Sequence, residues 1–397
     1  MFGNSRLILK FAAPRCVIHF GAAFFRERTI MKKKKGKIVA LILTHSCNLN
    51  CVYCFEKHKS SKSMSLDTAI SIVQNEVQKV STDIHIDYVK FDLFGGEPLL
   101  RFDLIKDLVE YSITNISGAE FYFSVTTNGT LLTEDINKWF AKHKDVVELI
   151  MSVDGSAVTQ RKNRGCDKDL LPIDFVTETW PDLYLKMTVS SYSLNNFGQE
   201  TIDLLEKGYN VSCALEVGNQ WKEGDDITYM RELEKLAEYY LNNTDKKPAP
   251  IFWRLYGELL VDEPLKNCGC GTTMVSYDTD GRPYPCHMFV PLVHGKEIWE
   301  DLQKIDFTDR KSLEDPECTH CSIKKLCRTC YGFNYNQRGS VVKRDKSTCK
   351  MFLAEAKVVS GFLIQYLMKN KEHLSIEEVK MLQGALKCYE LTNNAEL

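Results

Sequence analysis

The chain has 397 residues, 44% of them hydrophobic and 26% charged, with a formal net charge of −2. This is the make-up of a globular protein, and the near-neutral balance excludes the basic field that nucleic-acid binding uses. No apolar run approaches the roughly 20 residues that cross a bilayer, so no membrane partner is expected. Fifteen cysteines are more than packing requires. Residues 1–36 read as an N-terminal extension, poor in acids and ending in "MKKKKG". It lacks a small-residue cleavage site, so Met31 is read as the start, with the first thirty residues as upstream translation. That reading places the protein in the reducing cytoplasm, where cysteine clusters mean metal or catalysis more often than disulfides.

From Lys37 to residue 224 strands and helices alternate. "KIVALIL" (Lys37 to Leu43) is a buried strand. Leu66, Ala69, Ile70, Val73, Val77 and Val80 then recur at helical spacing. "DYVKFDLF" is a second strand, followed by a helical face of Leu104, Ile105, Leu108, Val109 and Ile113. "AEFYFSVT", "VVELIMSV", "LYLKMTVS" and "YNVSCALEV" continue the series. Six such alternations imply parallel βαβ units in a barrel or open sheet, with ligands at the C-terminal ends of the strands. Residues 225–264 read as a helical bridge and linker. Residues 265–350 are irregular and hold eight cysteines, and 351–397 carry two helices and a polar tail.

The chemistry begins in "THSCNLNCVYCFE", where Cys47, Cys51 and Cys54 follow the first strand with three, then two, intervening residues. Three thiolates on one short loop can hold three irons of a [4Fe–4S] cube and leave the fourth open. A structural zinc site wants four protein ligands instead. The spacing, with Tyr53 before the last cysteine, resembles the signature of the radical S-adenosylmethionine (SAM) enzymes. In that family the open iron chelates the amino and carboxylate groups of SAM, and an electron from the cluster releases a 5′-deoxyadenosyl radical. Three further strand ends extend the resemblance. "FGGEP" supplies Gly95, Gly96, Glu97 and Pro98, with Glu97 on the family's position for the SAM amino group. "TTNG" supplies Thr126 and Asn128. "SVDGSAVTQRKNR" supplies Ser152 and Asp154, which share one side of their strand, and Arg164, on the family's position for the SAM carboxylate. Gln160 and Arg161 stand where the family commonly has His-Asp.

The irregular segment resembles the SPASM extension of radical SAM enzymes, which holds two auxiliary [4Fe–4S] clusters. By that resemblance Cys318, Cys321, Cys327 and Cys349 hold the second. Cys268, Cys286 and Cys330 hold the first, and its fourth ligand is Cys270 or an open position for substrate. Paired C-x2-C spacing also fits a zinc ribbon. Cys213 and Cys388 read as buried packing groups, and Cys166 as a loop thiol.

The resemblance implies α/β architecture: a partial (β/α)6 TIM-type barrel, a C-terminal irregular cysteine-rich auxiliary-cluster domain and terminal helices. It implies SAM and three [4Fe–4S] clusters as cofactors, and a flavodoxin or ferredoxin as reductant. The expected activity is modification of a precursor peptide or protein side chain, for example by a thioether or carbon–carbon cross-link. Formylglycine formation on a sulfatase is the alternative. Sulfatase maturases often carry an aspartate after the cysteine that is Cys286 here. This chain has His287, which favours a peptide maturase, although an imidazole can also accept a proton. A non-catalytic iron–sulfur carrier is the competing class, but it has no use for Glu97, Ser152, Asp154 and Arg164.

Overall fold

The computed structural model describes residues 35–253, 256–260, 266, 268–369 and 371–393. Met31 and the segment before it, linker residues 261–265 and the last four residues lie outside these.

Six parallel strands carry the first half: β1 (Gly36–Thr44), β2 (Tyr88–Gly95), β3 (Glu120–Thr127), β4 (Val147–Met151), β5 (Leu185–Val189) and β6 (Val211–Leu215). Helices α1 (Leu66–Ser81), α2 (Phe102–Asn115), α3 (Glu134–Lys142), α4 (Ala157–Arg164), α5 (Ile173–Thr179) and α6 (Phe197–Glu206) alternate with them. Local sequence sets the helix starts. Ser65 and Ser156 cap α1 and α4 by accepting from the Thr68 and Thr159 amides. On α1 the buried stripe is Ala69, Ile72, Val73, Glu76, Val77 and Val80, so Ile72 rather than Ile70 completes the apolar face. On α2, Ile113 is 45% exposed and Ser112 takes its place inside.

β4, β3, β2 and β1 are neighbours in one sheet, and β5 and β6 form a second pair. A parallel bridge from Ser152 to Lys186 carries the curve from β4 to β5. β2 and β4 alternate in burial, whereas β1 is buried continuously from Val39 to Thr44. Val89, Phe91, Leu93, Phe123, Val125, Leu149, Met151, Met187 and Val189 are buried in the core shared with the helices. Lys90, Asp92, Ser124, Thr126, Glu148 and Lys186 occupy the opposite, lumen-facing parity. A closed TIM barrel fills its lumen with apolar layers; this one lines that face with polar groups.

The sheet does not end at β1. β7 (Met274–Tyr277) pairs in parallel with β1 on the side away from β2, and β8 (Pro283–Tyr284) turns back antiparallel to β7. The cysteine-rich segment therefore extends the barrel's own sheet, which its weak periodicity did not foretell. Glu76 pins the seam: it accepts from the Tyr277 hydroxyl at 2.8 Å and from Lys79 at 2.6 Å, and pairs with Lys37. A second apolar core runs from Ile42 of β1 through Cys270, Cys286, Met288 and Phe289, with Phe55 and Phe94 against it. Short helices α8 (Pro291–His294), α9 (Trp299–Leu302) and α10 (Tyr331–Arg338) complete this region.

α7 (Asp225–Asn242), α11 (Cys349–Met368) and α12 (Ile376–Asn393) pack together, α11 lying against both others. The stretch Lys346–Met368 is, by length and composition, a helix that could cross a membrane, which corrects the expectation of none. Over half of that window, 56%, is buried inside the protein. The Tyr229 hydroxyl of α7 donates to Glu355 within it at 2.7 Å, so its apolarity belongs to the core.

Candidate active site

The cysteine loop is held by the ends of the strands around it. The Gly96 amide donates to the Thr44 carbonyl at 3.0 Å and the Glu97 amide to the Ser46 carbonyl at 2.9 Å. A Cβ at Gly95, where φ is +130°, would overlap Thr44, and one at Gly96 would overlap Ser46. The close approach these glycines permit is thus between two backbones, strand end and cysteine loop. Val52 donates to the Asn163 carbonyl at 2.9 Å, and Asn48 links to Asn128 and Thr130 at 2.9 and 2.8 Å. The Leu49 amide points at the Cys47 sulfur from 3.5 Å. The three thiols act on one another, and burial raises Cys54 and pushes Cys51 up to about 11. A bound cation would favour thiolates there.

Glu97 is 1% exposed and takes three donors: the Leu99 amide at 3.0 Å, the Thr127 hydroxyl at 2.7 Å and the Asn128 amide at 2.9 Å. Burial still raises its pKa. A carboxylate offers about four lone-pair sites, so one is left for an ammonium. Glu56, also buried, is pushed up to about 7 by burial, with Lys59 opposing and Glu97 adding to the rise. Two buried carboxylates acting on one another favour a cation beside them.

Asp154 is fully buried and organises the end of β4. Its Oδ1 accepts from Arg164 Nη2 and the Thr188 amide, both at 3.0 Å; its Oδ2 accepts from Asn163 at 3.3 Å and from the Tyr53 hydroxyl. Arg164 Nε also lies 3.0 Å from Oδ2, and the guanidinium sits over the Tyr53 ring. Burial would lower the Arg164 pKa, but Asp154 outweighs it and holds the charge on. Two of its three nitrogens therefore face Asp154, and the pair ties the cysteine loop to β4 and α4. Gln160, in place of the family's histidine, accepts from the Asp154 amide at 2.7 Å. Ser152 is nearly buried, its amide on the Thr127 carbonyl at 2.9 Å.

Thr126 and Thr127 separate by parity. Thr127 touches Glu97, while Thr126 accepts from Lys186 in the lumen at 3.1 Å. The sequence reading named Thr126 and missed Thr127; register against β2 was the signal that separates them.

The second set of thiols lies where the added strands meet the barrel. Cys268 is lowered to about 6 by a hydrogen bond from Cys270, whose own pKa is raised by sharing a proton with Cys268 and Cys286. Cys330 is pushed up to about 12 by burial, then by Cys286 and Cys268. Four sulfurs thus gather, Cys270 among them. Cys318, Cys321, Cys327 and Cys349 line one cavity of 320 Å³ with Cys330 and Cys213. Burial raises Cys327 and pushes Cys349 up to about 11, each also acted on by Cys318 and Cys321. Among the described residues no three His, Cys, Asp or Glu side chains converge as a single metal ion requires.

His45 and Asp278, 2.6 Å apart and both buried, join the cysteine loop to the turn after β7. His287 stands between Phe94 and Phe55, with ring centroids 5.0 and 6.0 Å away; burial lowers its pKa, Asp92 raises it and Lys186 lowers it further. Neither the His45–Asp278 pair nor Lys186 was among the sequence-derived site residues.

Residues 41–169 match the radical SAM superfamily. The chain is 22% identical over 349 residues to the radical SAM cyclopropyl synthase TigE of Paramaledivibacter caminithermalis, covering 80% of this chain and 72% of that protein. It is 35% identical over 260 residues to the uncharacterized protein MJ0907 of Methanocaldococcus jannaschii, covering 59% and 87%. The solved structure of anSMEcpe with bound AdoMet and the Cp18Cys peptide superposes with a TM-score of 0.61 at 17% identity, over 88% of this chain and 99% of that one. The chain belongs to the radical SAM superfamily. It is an enzyme that uses S-adenosylmethionine at a [4Fe–4S] cluster, which sets aside the non-catalytic carrier.

Proposed function

We propose that this enzyme modifies a side chain of a peptide or protein, in the cytoplasm, with two auxiliary [4Fe–4S] clusters beside the SAM cluster and a flavodoxin or ferredoxin as electron source. The observation that supports the reading is the β1–β7 pairing, which brings Cys270, Cys286 and Cys330 into one cluster with Ile42 of β1 and Phe94 of β2. A substrate in the lumen lies between the SAM-side residues and the first auxiliary set. TigE and the peptide-bearing anSMEcpe support the same substrate class. All 14 described cysteines are free thiols, in keeping with a reducing compartment.

When loaded, the SAM cluster supplies a reductively generated adenosyl radical that abstracts hydrogen. Residues of this chain prepare for it. Glu97, backed by Thr127 and the Asn128 amide, offers its remaining lone pair to the amino group of SAM. Tyr53, Asp154 and Arg164 fix the cysteine loop, leaving one Arg164 nitrogen for the carboxylate. Cys270 completes a four-cysteine first auxiliary set, which suits electron removal from the substrate better than capture of a substrate thiolate.

The test is anaerobic incubation of reconstituted enzyme with SAM, dithionite and the short peptides encoded beside its gene. A mass loss of whole hydrogens or a cross-link in one peptide, with stoichiometric 5′-deoxyadenosine, is expected. Product formed on a small molecule and on none of the peptides overturns the reading.

A further inference from the structure

Lys186 points into the lumen from the centre of β5. Its place on that face is fixed twice over: it bridges to Ser152 at the end of β4, and its ammonium reaches past β4 to the Thr126 hydroxyl on β3 at 3.1 Å. The other lumen lysine, Lys90, is neutralised by Glu148 at 2.8 Å. Asp92, on the same face, is engaged by the Ser124 hydroxyl at 2.7 Å. Among the described residues no carboxylate lies within the 4.0 Å of an ion pair to Lys186. Lys186 is exposed on the lumen face, and among the described residues its ammonium has the Thr126 hydroxyl as its one hydrogen-bond partner, so it is free to take an anion.

The SAM-side charges have their partners at the strand ends: Glu97 accepts from Leu99, Thr127 and Asn128, and Arg164 donates to Asp154. Lys186 keeps only the Thr126 hydroxyl among the described residues, so it is the lumen cation left open to a further anion.

We propose that Lys186 is a substrate-specificity residue that binds a carboxylate of the peptide held in the barrel lumen. It rests on the peptide-modifying reading above. The carboxylate belongs to an Asp or Glu side chain or to the peptide's C-terminus, and the ammonium, steadied by Thr126, sets which neighbouring carbon meets the radical. The contact is a charge-assisted hydrogen bond, worth about tenfold or more in affinity.

The test uses pools of short synthetic cysteine-containing peptides on SAM-loaded, reconstituted enzyme. One pool carries Asp and Glu, a second carries Asn and Gln at the same positions, and a third is the first with amidated C-termini. Retained peptides are counted by mass spectrometry after equilibrium dialysis. The native enzyme retains the acidic pool over the amide pool by about tenfold or more. Lys186→Met levels the two, Lys186→Arg restores the preference, and Lys186→Glu inverts it, a gain that misfolding cannot imitate. The amidated pool tells side chain from C-terminus. Equal retention of both pools by the native enzyme, or a preference that survives Lys186→Met, overturns the proposal while leaving the peptide reading standing. Retention of neither pool overturns both. Loss in Lys186→Met of the discrimination between SAM and decarboxylated SAM overturns it as well, by assigning the lysine to the cofactor.

Discussion

The barrel and the cysteine-rich segment hold their thiols by different means. Around Cys47, Cys51 and Cys54 the backbone is fixed from outside: Thr44 and Ser46 by the Gly95–Gly96 strand end, Val52 by Asn163, and Tyr53 by Asp154. Around Cys318, Cys321 and Cys327 there are single turns, in which the Cys321 amide returns to the Cys318 carbonyl and Cys327 to Ile323. A site built on strand ends is ordered before it is loaded. A site built on turns takes much of its order from the metal, because binding free energy there is folding free energy.

The contrast is broken most sharply by the barrel thiols. Replacing Cys47, Cys51 and Cys54 together by Ala should abolish 5′-deoxyadenosine formation while the C-terminal half keeps about eight of about twelve irons. Undiminished product, or loss of all iron, would show that the two halves do not load independently. Next in size is Arg164→Ala, which strands a fully buried Asp154. A broken buried pair costs about 3–5 kcal/mol, whereas Arg161→Ala, at an exposed position, should stay within about 0.5 kcal/mol. Denaturant melts of the two variants check this, and equal shifts would mean that the Asp154 network does not hold the loop.

Cys270→Ala sharpens the other side of the comparison. In a turn-built set every thiol counts, so this variant should lose about four irons per chain and the activity with them. Full iron with full turnover would instead mean an open iron in the first auxiliary set. The smallest effect is at the seam. Burial raises the Glu76 pKa, but the bonds from Lys37, Lys79 and Tyr277 outweigh it and hold it below the ordinary carboxylate value. Its contribution is present above the unfolded pKa, near 4.5, and fades as pH falls through the lower folded value. Glu76→Gln should cost about 1–3 kcal/mol at neutral pH, with a smaller difference in acid. A cost independent of pH would remove the charge from the account.

The strands β1 to β6 and the cysteine loop were legible because they are local. Apolar alternation and thiol spacing are read within a few residues. What was not legible is pairing at a distance. β7 is four residues, "MVSY", too short to announce itself, and its partner Ile38–Leu41 lies at the other end of the chain. The resemblance places Arg164 on the SAM-carboxylate position, but its pairing with Asp154 was not legible, because the two meet only once α4 is folded. Lys186 carried no sequence signal, since its neighbours Ser152 and Thr126 come from other strands.

The pairing of Ile38 with Met274 has a consequence for how the protein is made. During synthesis β1 emerges early and finds β2 soon after, but its other edge stays bare until most of the chain has left the ribosome. An exposed apolar strand edge recruits other chains, and closing so long a loop is slow. The nascent protein thus carries an aggregation-prone seam for most of its synthesis, and any truncation before β7 should yield insoluble barrel rather than a smaller working domain.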